Sequence, residues 1–143
     1  MDETDAALLR LLGENARLPV ATLARRLGLA RSTVQARLDR LEANGTIAGY
    51  ALRLGDGARP EAIRATVLIS VEPRATPAVL ARLKTMPEVE AAHTASGRFD
   101  MVLQLAARST SALDAALDLI GAAEGVKSSE SLIHLSTRID RRG

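Results

Sequence analysis

Between residues 20 and 41 the apolar positions fall into two short helical runs that meet at a turn. Leu23, Ala24 and Leu27 recur at helical spacing in the first run, and Val34, Leu38 and Leu41 stand at i, i+4 and i+7 in the second. Gly28-Leu29 between them reads as a helix stop followed by an apolar plug, with Gly28 supplying the positive φ of a tight turn and small Ala24 letting the helices approach. This is the spacing of a DNA-binding helix-turn-helix. It leaves Arg31, Ser32, Thr33, Gln35, Ala36, Asp39 and Arg40 off the core stripe of the second helix, where they can face a groove.

The pattern on either side supports the same unit. Residues 2–15 predict a bracing helix, capped by Asp2, with acids in the first turn where the helix dipole favours them and Ala7, Leu8, Leu11 and Leu12 as its apolar stripe. Pro19 prepares the next helix, and Asn44-Gly45 stops a third that runs over 31–43. Ala30 stands where a Ser or Thr cap is expected, so that helix is predicted to begin late or to fray. Residues 46–54, with Thr46, Ile47, Tyr50 and two leucines, predict an extended strand, a short wing leading out of the unit. The polar, turn-rich stretch 55–60 is the sharpest break in composition and marks the boundary. Three segments are therefore expected: a DNA-binding domain over 1–50, a strand and hinge linker over 51–61, and a second domain over 62–143.

The rhythm then changes. Residues 65–71 predict a strand, and Thr76 a cap, with Pro77 in first position of a helix that buries Val79, Leu80, Leu83 and Met86. Strands are predicted over 89–96 and 99–106 around a tight Gly97-Arg98 turn, and a helix capped by Ser109 or Thr110 carries Leu113, Ala116, Leu117 and Ile120 at i, i+3, i+4 and i+7. Gly125 leads into a last strand over 127–137. The order βαββαβ is the ferredoxin-like arrangement, so the whole chain is α+β: an N-terminal winged helix-turn-helix followed by a C-terminal ferredoxin-like sheet. Residues 65–71, 101–105 and 132–135 carry consecutive apolar positions, the pattern of strands buried on both faces. Two helices cover one face only, so the other is expected to be covered by a second copy of the chain.

Composition narrows the chemistry. The chain has 143 residues and no cysteine, which leaves no disulfide, thiolate metal site or cysteine nucleophile. Tyr50 and Phe99 are its whole aromatic inventory, too few to stack single-stranded bases. The formal net charge is only +2, yet residues 17–40 hold six arginines against Asp39, which concentrates basicity on the helix-turn-helix. Acids at the N-terminus, where a secretory leader needs basic residues, and the lack of a long apolar run predict a cytoplasmic protein with no membrane partner.

Three stretches, DETDAALLRLLGENAR, LARRLGLARSTVQARLDRLEANGTIAGY and ASGRFDMVLQL, together resemble the Lrp/AsnC, or feast/famine, family of transcription regulators, and the resemblance spans essentially the whole chain. It implies a winged helix-turn-helix joined by a hinge to a ferredoxin-like effector (RAM) domain. It also implies homodimers built by sheet packing that assemble into tetramers or octamers, with a small-molecule effector, usually an amino acid, bound between dimers.

Carried onto this chain, the resemblance puts the recognition helix at residues 31–40. Arg31, Ser32, Thr33, Gln35 and Ala36 then lie where side chains reach base edges of double-stranded DNA, Gln35 suiting adenine and Arg31 guanine or phosphate. Arg25, Arg37 and Arg40 suit phosphates, with the alternative for Arg37 that it pairs with Asp2, Asp5 or Glu42 inside the domain. Gly97-Arg98-Phe99-Asp100 resembles the family's effector loop: glycine-turn N–H groups would hold a carboxylate and Asp100 an ammonium, unless Asp100 caps the turn. Arg98 departs from the acidic or small residue common there, and either favours an acidic effector or faces solvent. Residues near Ser128, Ser129, Glu130 and Ser131, with His93 and Thr94, are the other implied effector contacts.

An enzyme would need a nucleophile, a base and an orienting group together. The chain has only His93 and His134, no phosphate-cradling glycine loop and no paired histidines at metal spacing, so no catalytic residue, metal or cofactor is expected. The alternative to a ligand-controlled regulator is a DNA-architectural protein that bends duplex with little sequence choice.

Overall fold

The computed structural model describes residues 1–55, 58 and 61–141. Of the polar break expected at 55–60, residues 56, 57, 59 and 60 lie outside the described residues. The chain divides into two compact units, residues 1–57 with 141–143 and residues 58–140.

The first unit is three helices: α1 (Glu3–Glu14), α2 (Val20–Leu27) and α3 (Arg31–Ala43). Asp2 caps α1, its Oδ1 accepting the Asp5 N–H at 2.8 Å. Gly28 ends α2 in the left-handed region at φ +68°, and the Leu29 N–H then donates back to the Ala24 carbonyl at 2.9 Å. Leu8, Leu23, Ala24, Val34, Leu38 and Leu41 form the buried core, with Ile47, Leu11 and Leu12 packed at its edge.

Two expectations are corrected here, and one burial is added. Helix α3 does not begin late: the Ala30 carbonyl accepts the Thr33 and Val34 N–H groups, both at 3.1 Å, so backbone alone starts the helix without a side-chain cap. The strand over 46–54 does not form among the described residues. Extended β-branched sequence needs a hydrogen-bonded neighbour, and no strand of the unit lies beside it; Ile47 turns into the core and the Tyr50 hydroxyl donates to Glu42 Oε1 at 2.8 Å. Finally, α1 buries an acid as well as Leu8: Asp5, placed in the dipole-favoured first turn, is buried.

The second unit is one antiparallel sheet, β1 (Ile63–Val71), β2 (Val89–Thr94), β3 (Met101–Ala107) and β4 (Val126–Ile133), in the order β2-β3-β1-β4, with helices α4 (Thr76–Lys84) and α5 (Thr110–Ala122). Burial alternates strictly along β1 and β3: Val67, Ile69, Met101, Leu103 and Leu105 point into a core completed by Val79, Leu83, Leu113, Ala116 and Ile120. The fold is the ferredoxin-like arrangement expected. Gly125, at φ +94°, enters β4 where a Cβ would collide with the Ala75 methyl, while its carbonyl accepts the Glu72 N–H at 2.8 Å.

Local details differ from the sequence reading. Thr76 does not cap α4. It is the first helical residue, Ala75 is the cap, and the Thr76 hydroxyl donates to the Pro73 carbonyl at 3.3 Å. The turn at Gly97-Arg98 is a longer loop, 95–100. Strand β4 stops at Ile133, because its antiparallel partner β1 begins at Ile63 and little backbone remains to pair; one further bond, His134 N–H to the Arg64 carbonyl at 2.9 Å, ends the ladder. The second face of the sheet is not buried in one chain. Thr66, Leu68, Val102 and Gln104 are half-buried there, and in 132–135 every residue is exposed. On that face Thr66 donates to Gln104 Oε1 at 3.1 Å and lies 2.7 Å from His134 Nε2.

Candidate nucleic-acid interface and effector loop

On α3 the core takes Val34, Leu38 and Leu41, and helical spacing puts Ser32, Ala36 and Arg40 on one outward ridge. Arg31, Ser32, Thr33, Gln35, Ala36, Asp39 and Arg40 are all exposed, as is Arg25 on α2. Gln35 Nε2 donates to Asp39 Oδ1 at 2.8 Å, one turn on, which holds the amide along the ridge. These side chains present hydrogen-bonding groups and cations on a convex helix, a form that fits a major groove.

Arg37 takes the second of its two expected roles. Its Nη1 donates to Asp2 Oδ2 at 2.8 Å and Asp5 Oδ1 at 3.0 Å, leaving the side chain 24 % exposed. Arg40 Nη2 donates to Asp5 Oδ2 at 2.9 Å and stays 59 % exposed. Two acids three apart on α1 thus meet two arginines three apart on α3. Hydrogen bonding from Arg37, reinforced by the Asp5 N–H, holds the Asp2 carboxyl down at about 2. For Asp5, burial pushes its pKa up, but the Arg37 hydrogen bond and the Arg40 charge outweigh it and the net shift is downward. Asp2 and then Asp5 raise Arg37 in return.

In the second unit the loop 95–100 is tied to the end of β1. The Asp100 N–H donates to the Ile69 carbonyl at 2.9 Å, Asp100 Oδ2 accepts the Val71 N–H at 2.8 Å, and the Asp100 carbonyl accepts from Ala95 at 2.9 Å. The Asp100 carboxylate is therefore a backbone cap, the alternative role expected for it. Gly97 turns the loop at φ +129°. Arg98 lies with its guanidinium 5.3 Å from the Phe99 ring centroid, 3.9 Å from Glu130 Oε2 and 85 % exposed.

Register separates the remaining candidates. Ser129 and Ser131 sit opposite Ile69 and Val67, and Thr94 opposite Met101, all on the helix-covered side; His93 sits opposite Val102 on the other. Strands β2 and β4 are also opposite edges of the sheet. One chain thus brings Arg98 to Glu130 and leaves His93 and Thr94 apart from Ser129 and Ser131. A cavity of about 410 Å³ in this unit is lined by Thr110, Ser111, Leu113, Asp114, Leu117 and Ile133, none of them an expected effector residue. Asp5 is one of the partners expected for Arg37; its second partner, Arg40, was not expected, and the matching three-residue spacings of Asp2/Asp5 and Arg37/Arg40 were the signal for it. Among the described residues no cluster of three His, Cys, Asp or Glu side chains has metal-site geometry, and no helix is long and apolar enough to cross a membrane.

A helix-turn-helix with an exposed basic helix, followed by a ferredoxin-like sheet unit, is the architecture of a class of transcriptional regulators. The family model described as the AsnC-type helix-turn-helix domain matches residues 1–42, and that described as the Lrp/AsnC ligand binding domain matches 64–143. The chain belongs to the Lrp/AsnC family. It is 34 % identical over 142 residues to the HTH-type transcriptional regulator Rv2324 of Mycobacterium tuberculosis, covering 99 % of this chain and 96 % of that one. It superposes on the Escherichia coli AsnC structure with a TM-score of 0.88 at 26 % identity, covering 99 % and 97 % of the two chains. A feast or famine regulatory protein of M. tuberculosis, solved in complex with L-methionine, gives a TM-score of 0.84 at 33 % identity, with 99 % and 97 % covered.

Proposed function

We propose that this protein is a sequence-selective DNA-binding regulator whose assembly or DNA binding responds to an amino acid. The observation that carries the reading is the exposed ridge of α3 on one compact unit, paired with a separate sheet unit of the ligand-binding type. Arg31, Ser32, Thr33, Gln35 and Ala36 contact base edges, while Arg25 and Arg40 contact phosphates; Arg37 braces α3 against α1. A homodimer forms through the half-buried sheet face around Leu68 and Val102, and dimers assemble further into tetramers or octamers. The L-methionine complex of the M. tuberculosis relative supports an amino-acid effector. Its site is built from the Gly97–Asp100 loop, which one chain already brings to Glu130, with Ser129 and Ser131 on either side; His93 and Thr94, on the opposite edge of the sheet, join it from a second copy.

The test is duplex binding by fluorescence anisotropy, with operator-region and scrambled DNA, with and without each free amino acid, and light scattering alongside for mass. Selective binding that one amino acid changes supports the reading. Equal binding to both duplexes and no response to any amino acid overturns it in favour of an architectural protein.

A further inference from the structure

A buried carboxylate costs free energy unless charged partners compensate it, and those partners give its position meaning. Asp5 is such a group. Its two oxygens are divided between two arginines of the recognition helix, Oδ1 on Arg37 and Oδ2 on Arg40, at 3.0 and 2.9 Å. The arginines are treated differently. Arg37 is also clamped by both Asp2 oxygens, at 2.9 and 2.8 Å, and is largely withdrawn from solvent. Arg40 has a single described tie, through Nη2, and keeps most of its side chain in water beside an open cavity of about 330 Å³ that Asn44 and Thr46 also line. A guanidinium has five donors in a rigid fork, so anchoring one end leaves the others aimed in a set direction. The cavity that Arg40 borders lies at the C-terminal end of α3, where Leu41, Asn44 and Thr46 line it with Asp2 and Asp5.

From this geometry we infer that Asp5 is a positioning residue for DNA binding: it holds Arg40 in advance in the orientation that receives a backbone phosphate. Arg37 is the strut that keeps α1 and α3 in register. The inference rests on the DNA-binding reading. It gives Asp5 a role that the dipole of α1 does not require, since Asp2 already caps that helix and Glu3 already supplies charge there.

The experiment is a double-mutant cycle on the full chain, with Asp5→Asn and Arg40→Ala, read as the dissociation constant for duplex DNA across a salt series. Arg40→Ala is expected to weaken binding and to reduce the slope of log K against log salt by about 0.9, one phosphate contact. Asp5→Asn is expected to weaken binding roughly three- to tenfold, as when a long side chain is ordered on binding instead of beforehand. In the Asp5→Asn background Arg40→Ala should then cost clearly less than in the wild type. Equal costs in both backgrounds, or an unchanged salt slope on Arg40→Ala, overturn the inference.

Arg40→Lys keeps the charge without the fork, leaves Asp5 intact and serves if Asp5→Asn fails to fold. It should bind more weakly than wild type, and full affinity with lysine overturns the inference. If the wild type binds no duplex, the DNA-binding reading itself fails; if it binds and the costs add, only the role of Asp5 falls.

Discussion

Asp100 and Val71 are joined across 29 positions by a hydrogen bond from backbone to carboxylate, 2.8 Å from the Val71 N–H to Asp100 Oδ2. It falls at the C-terminal end of β1, beyond the last pairing with β3 at Ile69–Met101, while β4 still pairs there at Val71–Val126. A side chain in the loop proposed to meet an effector is thus occupied with closing the sheet, and the two roles can be separated by mutation. Asp100→Ala should lower the unfolding free energy by about 1–2 kcal/mol in urea melts, the range for a partly exposed charge-assisted bond. Asp100→Asn, which keeps an acceptor for Val71, should lose less than half of that. If only the alanine variant loses its amino-acid response, the carboxylate acts through the loop's shape; if both lose it, the negative charge itself meets the ligand.

The acid cluster on α1 sets a pH dependence. Asp2 and Asp5 have folded-state pKa values below the ordinary carboxylate value of 3.8, so the stability they contribute is fully present above that value and is lost as pH falls through the depressed values. Urea midpoints of the first unit should therefore not change through this cluster between pH 8 and 5, and should fall between about pH 4 and 2. In Asp2→Asn the part of that decline due to Asp2 should vanish. A midpoint that falls equally in both proteins refutes the assignment.

Glycine positions offer a matched pair. Gly125→Ala meets both a left-handed φ and the Ala75 methyl, and should destabilise the second unit by more than about 2 kcal/mol. Gly13→Ala, inside α1 with nothing within 4 Å of the added carbon, should be neutral or stabilise by up to about 1 kcal/mol. Thermal melts of the two variants decide it.

The proposed contacts give base reading to Arg31 and Gln35. Their replacement by alanine should each cost about 1–3 kcal/mol of discrimination between operator and scrambled duplex, with a smaller change in binding to the scrambled one. Asp39→Ala releases the Gln35 amide and removes the acid among the basic residues of the ridge, so it should strengthen binding to any duplex and narrow the gap between the two. Competition titrations at fixed salt measure both effects.

How far the sequence spoke for the fold depended on how local each cause was. Gly28 and the stripe Val34, Leu38 and Leu41 announce the turn and the face of α3 because glycine conformation and helical period are local facts. The Ser109 cap was legible for the same reason, whereas β1 and β3 read as buried on both faces and in one chain alternate in burial. Thr76 was misplaced because a hydroxyl beside proline fits both a cap and a first turn, and Pro73 decided between them. The expected strand over 46–54 and the overlong β4 share one cause: extended propensity names a segment willing to pair, and only the neighbours decide how much of it does. The site was less legible. Asp5 was one of three acids offered to Arg37, and only the fold brings Arg40 to the same carboxylate, while Asp100 carried two roles that residue type does not separate.

The strand order β2-β3-β1-β4 also bears on how the chain is made. Strand β1 is an interior strand, yet both of its neighbours come later, and β4 begins 55 residues after β1 ends. At translation speeds of about 5–20 residues per second, one edge of β1 waits roughly 3 to 11 s for its partner while the three-helix unit, already synthesised, can fold from contacts close in sequence. During that interval the apolar side chains of β1 and its bare hydrogen-bonding edge are open to any other chain. Nascent polysomes carry many such strands side by side, so the stretch 63–71 is where crowding at synthesis would first turn into misassembly.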